Sequence, residues 1–214
     1  MKVLALSLFL FLTVAVSAQT ATFASVDSRN AVAMTTPYVV GTLYYQNAGS
    51  GVYTVGIGNA TVCAYQGVRH WCVESNSDDG AYTISGFASS GPVTIYASHN
   101  DELTGTAIVS YDCARIAAHI ANTIPFTNDY QRVSGDINSD GQIDSTDTTQ
   151  CGNFVASLPS TGDAGKWRFF QDGYPTFPVG SSPTYYYFSS IPYPVDGVNF
   201  TGILVGDPGG DWNN

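Results

Sequence analysis

Apolar and polar positions alternate in six short runs, at 38–45, 53–57, 60–65, 70–74, 81–87 and 92–97. A period of two is the mark of a strand with one buried face, and turn-forming clusters at 47–51, 75–80 and 88–91 separate the runs. Short strands at this spacing predict an antiparallel β-sandwich over residues 37–98. After Ser98 the period changes: Cys113, Ile116, Ala117 and Ile120 make one stripe at helical spacing, and Cys151, Phe154, Val155 and Leu158 make another. Residues 19–36 keep no sustained period and read as an arm able to add a strand to a neighbour's sheet. The expected fold class is therefore mainly β with a small α part, ending in an irregular β/aromatic C-terminal segment.

The first eighteen residues alter the picture of where the chain works. Met1 and Lys2, an apolar run and then Ser17-Ala18 have the three parts of a secretory leader, too short to span a bilayer. No later run is apolar for long enough, so a secreted protein, extracellular or at the cell surface, with no membrane span after leader removal is expected. The net charge is −10, one unit more negative once Lys2 leaves, which disfavours nucleic acid as a partner. Four cysteines in an exported chain predict two disulfides, with three pairings open to sequence alone. Cys63 with Cys72, across a turn near Gln66-Gly67, and Cys113 with Cys151, each heading an apolar helical stripe, are the favoured pairs.

The segment with the clearest chemistry is 136–147, Asp-Ile-Asn-Ser-Asp-Gly-Gln-Ile-Asp-Ser-Thr-Asp. Counting Asp136 as position 1, side-chain oxygens fall at Asn138, Asp140, Asp144 and Asp147, Gln142 offers its carbonyl, and Gly141 sits where the chain must bend sharply. Oxygen donors in that order suit a hard cation, and calcium is the expected cofactor. Aligning Asp112 with Asp147 also aligns Ile108 with Ile143 and Asp101 with Asp136, so the loop-helix unit occurs twice. The first copy is degenerate, with Leu103, Gly105 and Thr106 at positions 3, 5 and 6.

Two resemblances follow. The stretch NSDDGAYTISGFASSGPVTIYAS resembles the end of prealbumin-like or carboxypeptidase-regulatory-like β-sandwich modules, an acidic-glycine turn followed by an aromatic strand, and covers roughly residues 38–98. GDINSDGQIDSTD resembles the dockerin type I loop, aspartate at its last position included. That second resemblance implies a dockerin-like pair of calcium-loop helices over 99–214 with a C-terminal extension. It also implies that Ser145 and Thr146, with Ser110 and Tyr111 in the other copy, meet a cohesin-like partner. The tail KWRFF…NFTGILVGDPGGDW resembles the end of secreted bacterial proteins joining two such modules. In that arrangement a weaker second cation site takes Asp101 and Asp112 from the degenerate copy and Asp207 and Asp211 from the C-terminus. Calcium then chiefly ties chain segments together.

Nothing else in the sequence forms a catalytic constellation. His70, His99 and His119 show no metal-ligand spacing, and His119, on the first helical stripe, reads as a structural histidine. Tyr185-Tyr186-Tyr187-Phe188 offers an aromatic strip that either packs on a core or holds polysaccharide. Sequons at Asn59 and Asn199 permit N-glycosylation. A non-enzymatic, calcium-binding subunit that self-associates into an extracellular fibre or surface assembly is the expectation, with a cohesin-binding or polysaccharide-binding module as the alternative.

Overall fold

Strands form where the alternation predicts them: β1 (Tyr38–Gln46), β2 (Tyr53–Gly56), β3 (Thr61–Gln66), β4 (Arg69–Glu74), β5 (Ala81–Ser85) and β6 (Val93–Ser98). The computed structural model describes residues 36–46, 53–100, 107–172, 175–178 and 183–212. The leader at 1–18, the arm at 19–35 and Asp101, Leu103, Gly105 and Thr106 of the degenerate loop lie outside the described residues. The two helical stripes appear as α1 (Ser110–Ile120) and α3 (Ser145–Val155), and a third helix, α2 (Asp129–Gly135), precedes the acidic loop. Asn128 begins α2 by accepting the Gln131 N–H at 2.9 Å, a side-chain cap. No helix among the described residues is long and apolar enough to cross a membrane.

Three further strands come from the segment expected to be irregular: β7 (Trp167–Gln171), β8 (Tyr185–Phe188) and β9 (Phe200–Leu204). They complete two sheets begun by the first ninety-eight residues. One runs β2-β1-β9-β7 with β5 also paired to β1; the other runs β4-β3-β6-β8. All pairings of named strands are antiparallel except β1 with β9, where Leu43, Tyr44 and Tyr45 face Phe200, Thr201 and Gly202 in parallel. β1 is shared along its length: β5 pairs with Tyr38–Thr42 and β2 with Tyr44 and Tyr45. The boundary expected at residue 98 therefore does not separate two cores, and residues 34–214 form one compact unit.

Burial explains this joining. β9 is buried at every position, with Phe200 and Leu204 in the main core and Ile203 in a second cluster with Val133 and Phe170, beneath α2. A strand covered on both faces reads as a continuous apolar run, as in NFTGILV, and loses the alternation that marks half-buried strands. The main core takes Val39 and Leu43 from one sheet, Val62 and Ile95 from the other, and Ile116 and Ile137 from the helical segment. Gly202 leaves room for side chains of its own sheet: a Cβ there would lie 2.3 Å from Ile57 Cδ1 and 3.0 Å from Phe169 Cε1.

Both favoured disulfides are present. Cys63 and Cys72 are directly opposed in β3 and β4, and Cys113 joins α1 to Cys151 of α3. The first closes a separation of 9 residues and the second one of 38. Loop-closure entropy then assigns about 2.6 kcal/mol to the first and about 4 kcal/mol to the second. Thermal denaturation of Cys113→Ala with Cys151→Ala should show the larger fall in Tm, and Cys63→Ala with Cys72→Ala the smaller.

Candidate calcium centres

The acidic loop connects α2 to α3 and is folded by its own carboxylates. Asp136 ends α2 and is fully buried; its oxygens accept N–H bonds from Asp140 at 3.2 Å and Gly141 at 3.1 Å. Gly141 has φ +82, the left-handed conformation the sharp bend at position 6 requires. Asn138 accepts from Asp140 N at 3.1 Å, Asp140 from Gln142 N at 2.8 Å, and Asp144 from Thr146 N at 2.7 Å, which caps α3. Asp147, buried in the first turn of α3, closes the loop by accepting from Ile137 N at 2.8 Å and Asp144 N at 2.9 Å. Ile143 packs against the main core and so fixes the loop's depth.

Burial raises the carboxyl pKa of both Asp136 and Asp147, against the lowering effect of the amide bonds they accept. Arg168 lies beside the loop, donating to the Val133 and Asp136 carbonyls at 3.1 Å each, and its positive charge lowers the Asp136 pKa. Every predicted ligand of the loop thus lies in one closed turn. The loop carboxylates do not draw three oxygens within 4.8 Å of one another.

Such a convergence does occur elsewhere. Asp112, Asp207 and Asp211, expected to form the weaker site, place carboxylate oxygens within 4.8 Å of one another. Asp112 is in the first turn of α1 and accepts from Val109 N at 3.0 Å, as Asp147 accepts from Asp144 N in α3. Its other oxygen accepts from Gly209 N at 3.3 Å, which draws the C-terminal segment onto α1. Asp207 accepts from Gly210 N at 2.7 Å, Trp212 N at 3.3 Å and the Tyr45 hydroxyl at 2.5 Å. Asp112 and Asp207 are buried and Asp211 is exposed. Asp101, the fourth expected ligand, lies outside the described residues.

Tyr45 is a member of this centre that sequence reasoning missed, since 162 residues separate it from Asp207 and nothing local marks it. Its ring packs against Trp167 and Trp212, at centroid distances of 5.8 and 5.1 Å. Burial, followed by the neighbouring Asp112 and Asp211 charges, outweighs the hydrogen bonds and pushes the Asp207 carboxyl up to about 7. Burying carboxylates together is costly unless a proton or a cation offsets them. The donors are all hard oxygens, with neither thiolate nor imidazole, so the set suits a hard, oxygen-seeking dication such as calcium, magnesium or manganese.

This shift fixes a pH dependence for the chelated chain. Asp207 holds a proton more tightly folded than unfolded, so its contribution is present at low pH and is lost as pH rises through about 7. Differential scanning fluorimetry in EGTA should give a higher Tm at pH 5.5 than at pH 8, and saturating calcium should reverse the order because protons and cation compete for the same oxygens.

The other expected positions are less uniform. Ser145 and Thr146 are exposed in the first turn of α3, beside a groove of about 390 Å³ that they line with Thr149, Gln150, Asn153 and Thr161. Ser110 and Tyr111 are exposed in the first turn of α1. His119 is structural: its Nδ1 accepts the Phe126 N–H at 3.0 Å and its ring stacks on Phe126 at 4.3 Å. Asn59 is exposed in the turn between β2 and β3. Asn199, the other expected glycosylation position, is not presented in the folded chain. Its Oδ1 accepts from Thr42 N at 2.9 Å, its Nδ2 faces Asp172 at 3.5 Å, and Thr201 of the sequon is fully buried.

Comparison of the chain with protein-family models, with curated proteins and with solved structures finds no match.

Proposed function

We propose that this chain is a non-catalytic, secreted, calcium-binding structural protein, a subunit of an extracellular fibre or surface assembly. It unites a prealbumin-like β-sandwich with a dockerin-like pair of calcium loops. The observation that carries the reading is the meeting of Asp112, Asp207 and Asp211. Two of these acids are buried, they come from chain segments nearly a hundred residues apart, and the charges of Asp112 and Asp211 help raise the pKa of Asp207. A dication held there and a second in the 136–147 loop would pin the C-terminal segment and both ends of the disulfide-linked helix pair to the sheets. Binding free energy then becomes folding free energy. Such a role suits a protein whose work is to hold shape outside the cell.

Isothermal titration of the EGTA-stripped protein should give two calcium ions per chain. Asp207→Asn with Asp211→Asn should leave one. A stoichiometry of zero, or no change in the double variant, rejects the reading. For assembly, removal of residues 19–36 should leave a folded monomer that no longer forms filaments by negative-stain microscopy, whereas a truncated chain that still polymerises contradicts the role of the arm.

A second reading, that the chain docks a cohesin-like partner, draws support from the exposure of Ser145 and Thr146 beside their polar groove. Pull-down against cohesins, compared with Ser145→Ala and Thr146→Ala, separates it from the first.

A further inference from the structure

Four tyrosines, Tyr65, Tyr96, Tyr185 and Tyr187, stand on the outer face of the sheet β4-β3-β6-β8. Register sets Tyr65 opposite both His70 and Thr94, Thr94 opposite Tyr187, and Tyr96 opposite Tyr185. Directly opposed residues share a face, and the intervening positions Val62, Ala64, Val93 and Ile95 supply the core. Tyr65 stacks on His70 and on Tyr96, with centroids 5.7 and 5.4 Å apart and planes within 24° and 20°. The Tyr96 hydroxyl donates to that of Tyr65 at 2.8 Å. Stacking and hydrogen bond together hold Tyr96 in one orientation. Tyr185 and Tyr187 remain 50% and 61% exposed.

Tyr96 and Tyr185 also line a cleft of about 430 Å³ where β6 and β8 meet β7, with Thr94, Thr184, Ala97 and Phe169 among the other lining residues. No carboxylate lines it, although the chain as a whole is strongly acidic, and no aliphatic side chain larger than alanine does. Arg168 is the one charged residue of the lining, and its guanidinium is engaged by the Val133 and Asp136 carbonyls and by Asp163 at 3.3 Å. The cleft therefore offers aromatic rings and hydroxyls without a charge to be matched.

We infer that this cleft and the tyrosine face beside it bind a neutral polysaccharide chain. The C–H face of a sugar ring packs on aromatic carbon, and its hydroxyls exchange hydrogen bonds with those of threonine and tyrosine, which matches the lining on both counts. None of the lining residues is a proposed cation ligand, and only Arg168 also reaches the 136–147 loop.

A glycan array carrying neutral oligosaccharides, followed by calorimetric titration with cellohexaose, xylohexaose, chitohexaose or mannohexaose as the array directs, tests this on the full secreted chain. Binding is expected for at least one of these, weakened about tenfold by Tyr96→Ala or Tyr185→Ala and largely kept in Tyr185→Phe, which retains the ring. Tyr193→Ala, an exposed tyrosine outside the cleft lining, should bind as the parent does. Thermal denaturation checks that each variant is folded. Absence of binding across the array, binding indifferent to both alanine variants, or a loss of self-association in those variants without any saccharide binding would each overturn the proposal.

Discussion

Asp207→Asn should abolish the calcium-dependent part of the chain's thermal stability contributed by the trio of aspartates while leaving the chelated protein no weaker than the parent. The two halves of that expectation share one cause. Without a cation, Asp207 is a buried carboxylate close to Asp112 and Asp211, with its pKa pushed up to about 7. An amide of the same shape removes the charge that burial penalises; its oxygen serves the Gly210 N–H, and its NH2, in the place of Oδ2, donates to the Tyr45 hydroxyl at the cost of the long Trp212 N–H bond. At pH 8 in EGTA the variant should melt at or above the parent's temperature. With calcium at a hundred times its Kd, a bound ion stabilises the parent by about 2.7 kcal/mol. For a chain of this size that is a rise of about 8 °C, and the variant should lose it. Asp207→Ala makes a useful contrast, because it strands the buried Tyr45 hydroxyl and should lower Tm in either condition. An Asp207→Asn protein whose Tm rises with calcium as far as the parent's would place the stabilising ions elsewhere.

The same residues show what a sequence can reveal and what it conceals. The 136–147 loop was legible because its donors are contiguous: spacing in the chain is already spacing in space, and one glycine sets the bend. The trio was only half legible. Asp112 comes out of the internal alignment with Asp147, while Asp207 and Asp211 were offered only by the resemblance of the tail, because their meeting with Asp112 depends on β9 running parallel to β1 and carrying the C-terminus back to α1. No local pattern encodes that return. Strands β1 to β6 showed in the alternation because most of them bury one face only. β9 did not, since both its faces are covered, and β7 and β8 sit in a segment whose proline, glycine and tyrosine content suggested irregular packing. Helix α2, seven residues of mostly polar type, is too short for a 3.6-residue period to declare itself. The same blindness put a domain boundary at residue 98, where period and composition change but the core does not.

Gly202→Val should strongly destabilise the sheets, for the reason that made this boundary misleading. β9 lies between β1 and β7, so it joins a strand at the start of the described chain to one after the helices. At Gly202 even a Cβ would sit 2.3 Å from Ile57 Cδ1, 3.0 Å from Phe169 Cε1 and 3.3 Å from the Trp167 ring. The two γ-methyls of valine add volume to a space that is already closed, and Phe169 and Ile57 can yield only by displacing a close-packed core. About 3 kcal/mol or more of stability should be lost, at the upper end of overpacking costs, and Gly202→Ala should follow the same direction with a smaller loss. The decisive measurement is cooperativity. If residues 34–214 fold as one unit, near-ultraviolet circular dichroism of the tryptophans and far-ultraviolet signals of the sheets should melt together in both variants, at a lowered temperature. Separate transitions, with strands β3, β4 and β6 outlasting the helices, would show that the two halves keep independent cores and that β9 is a tether between them.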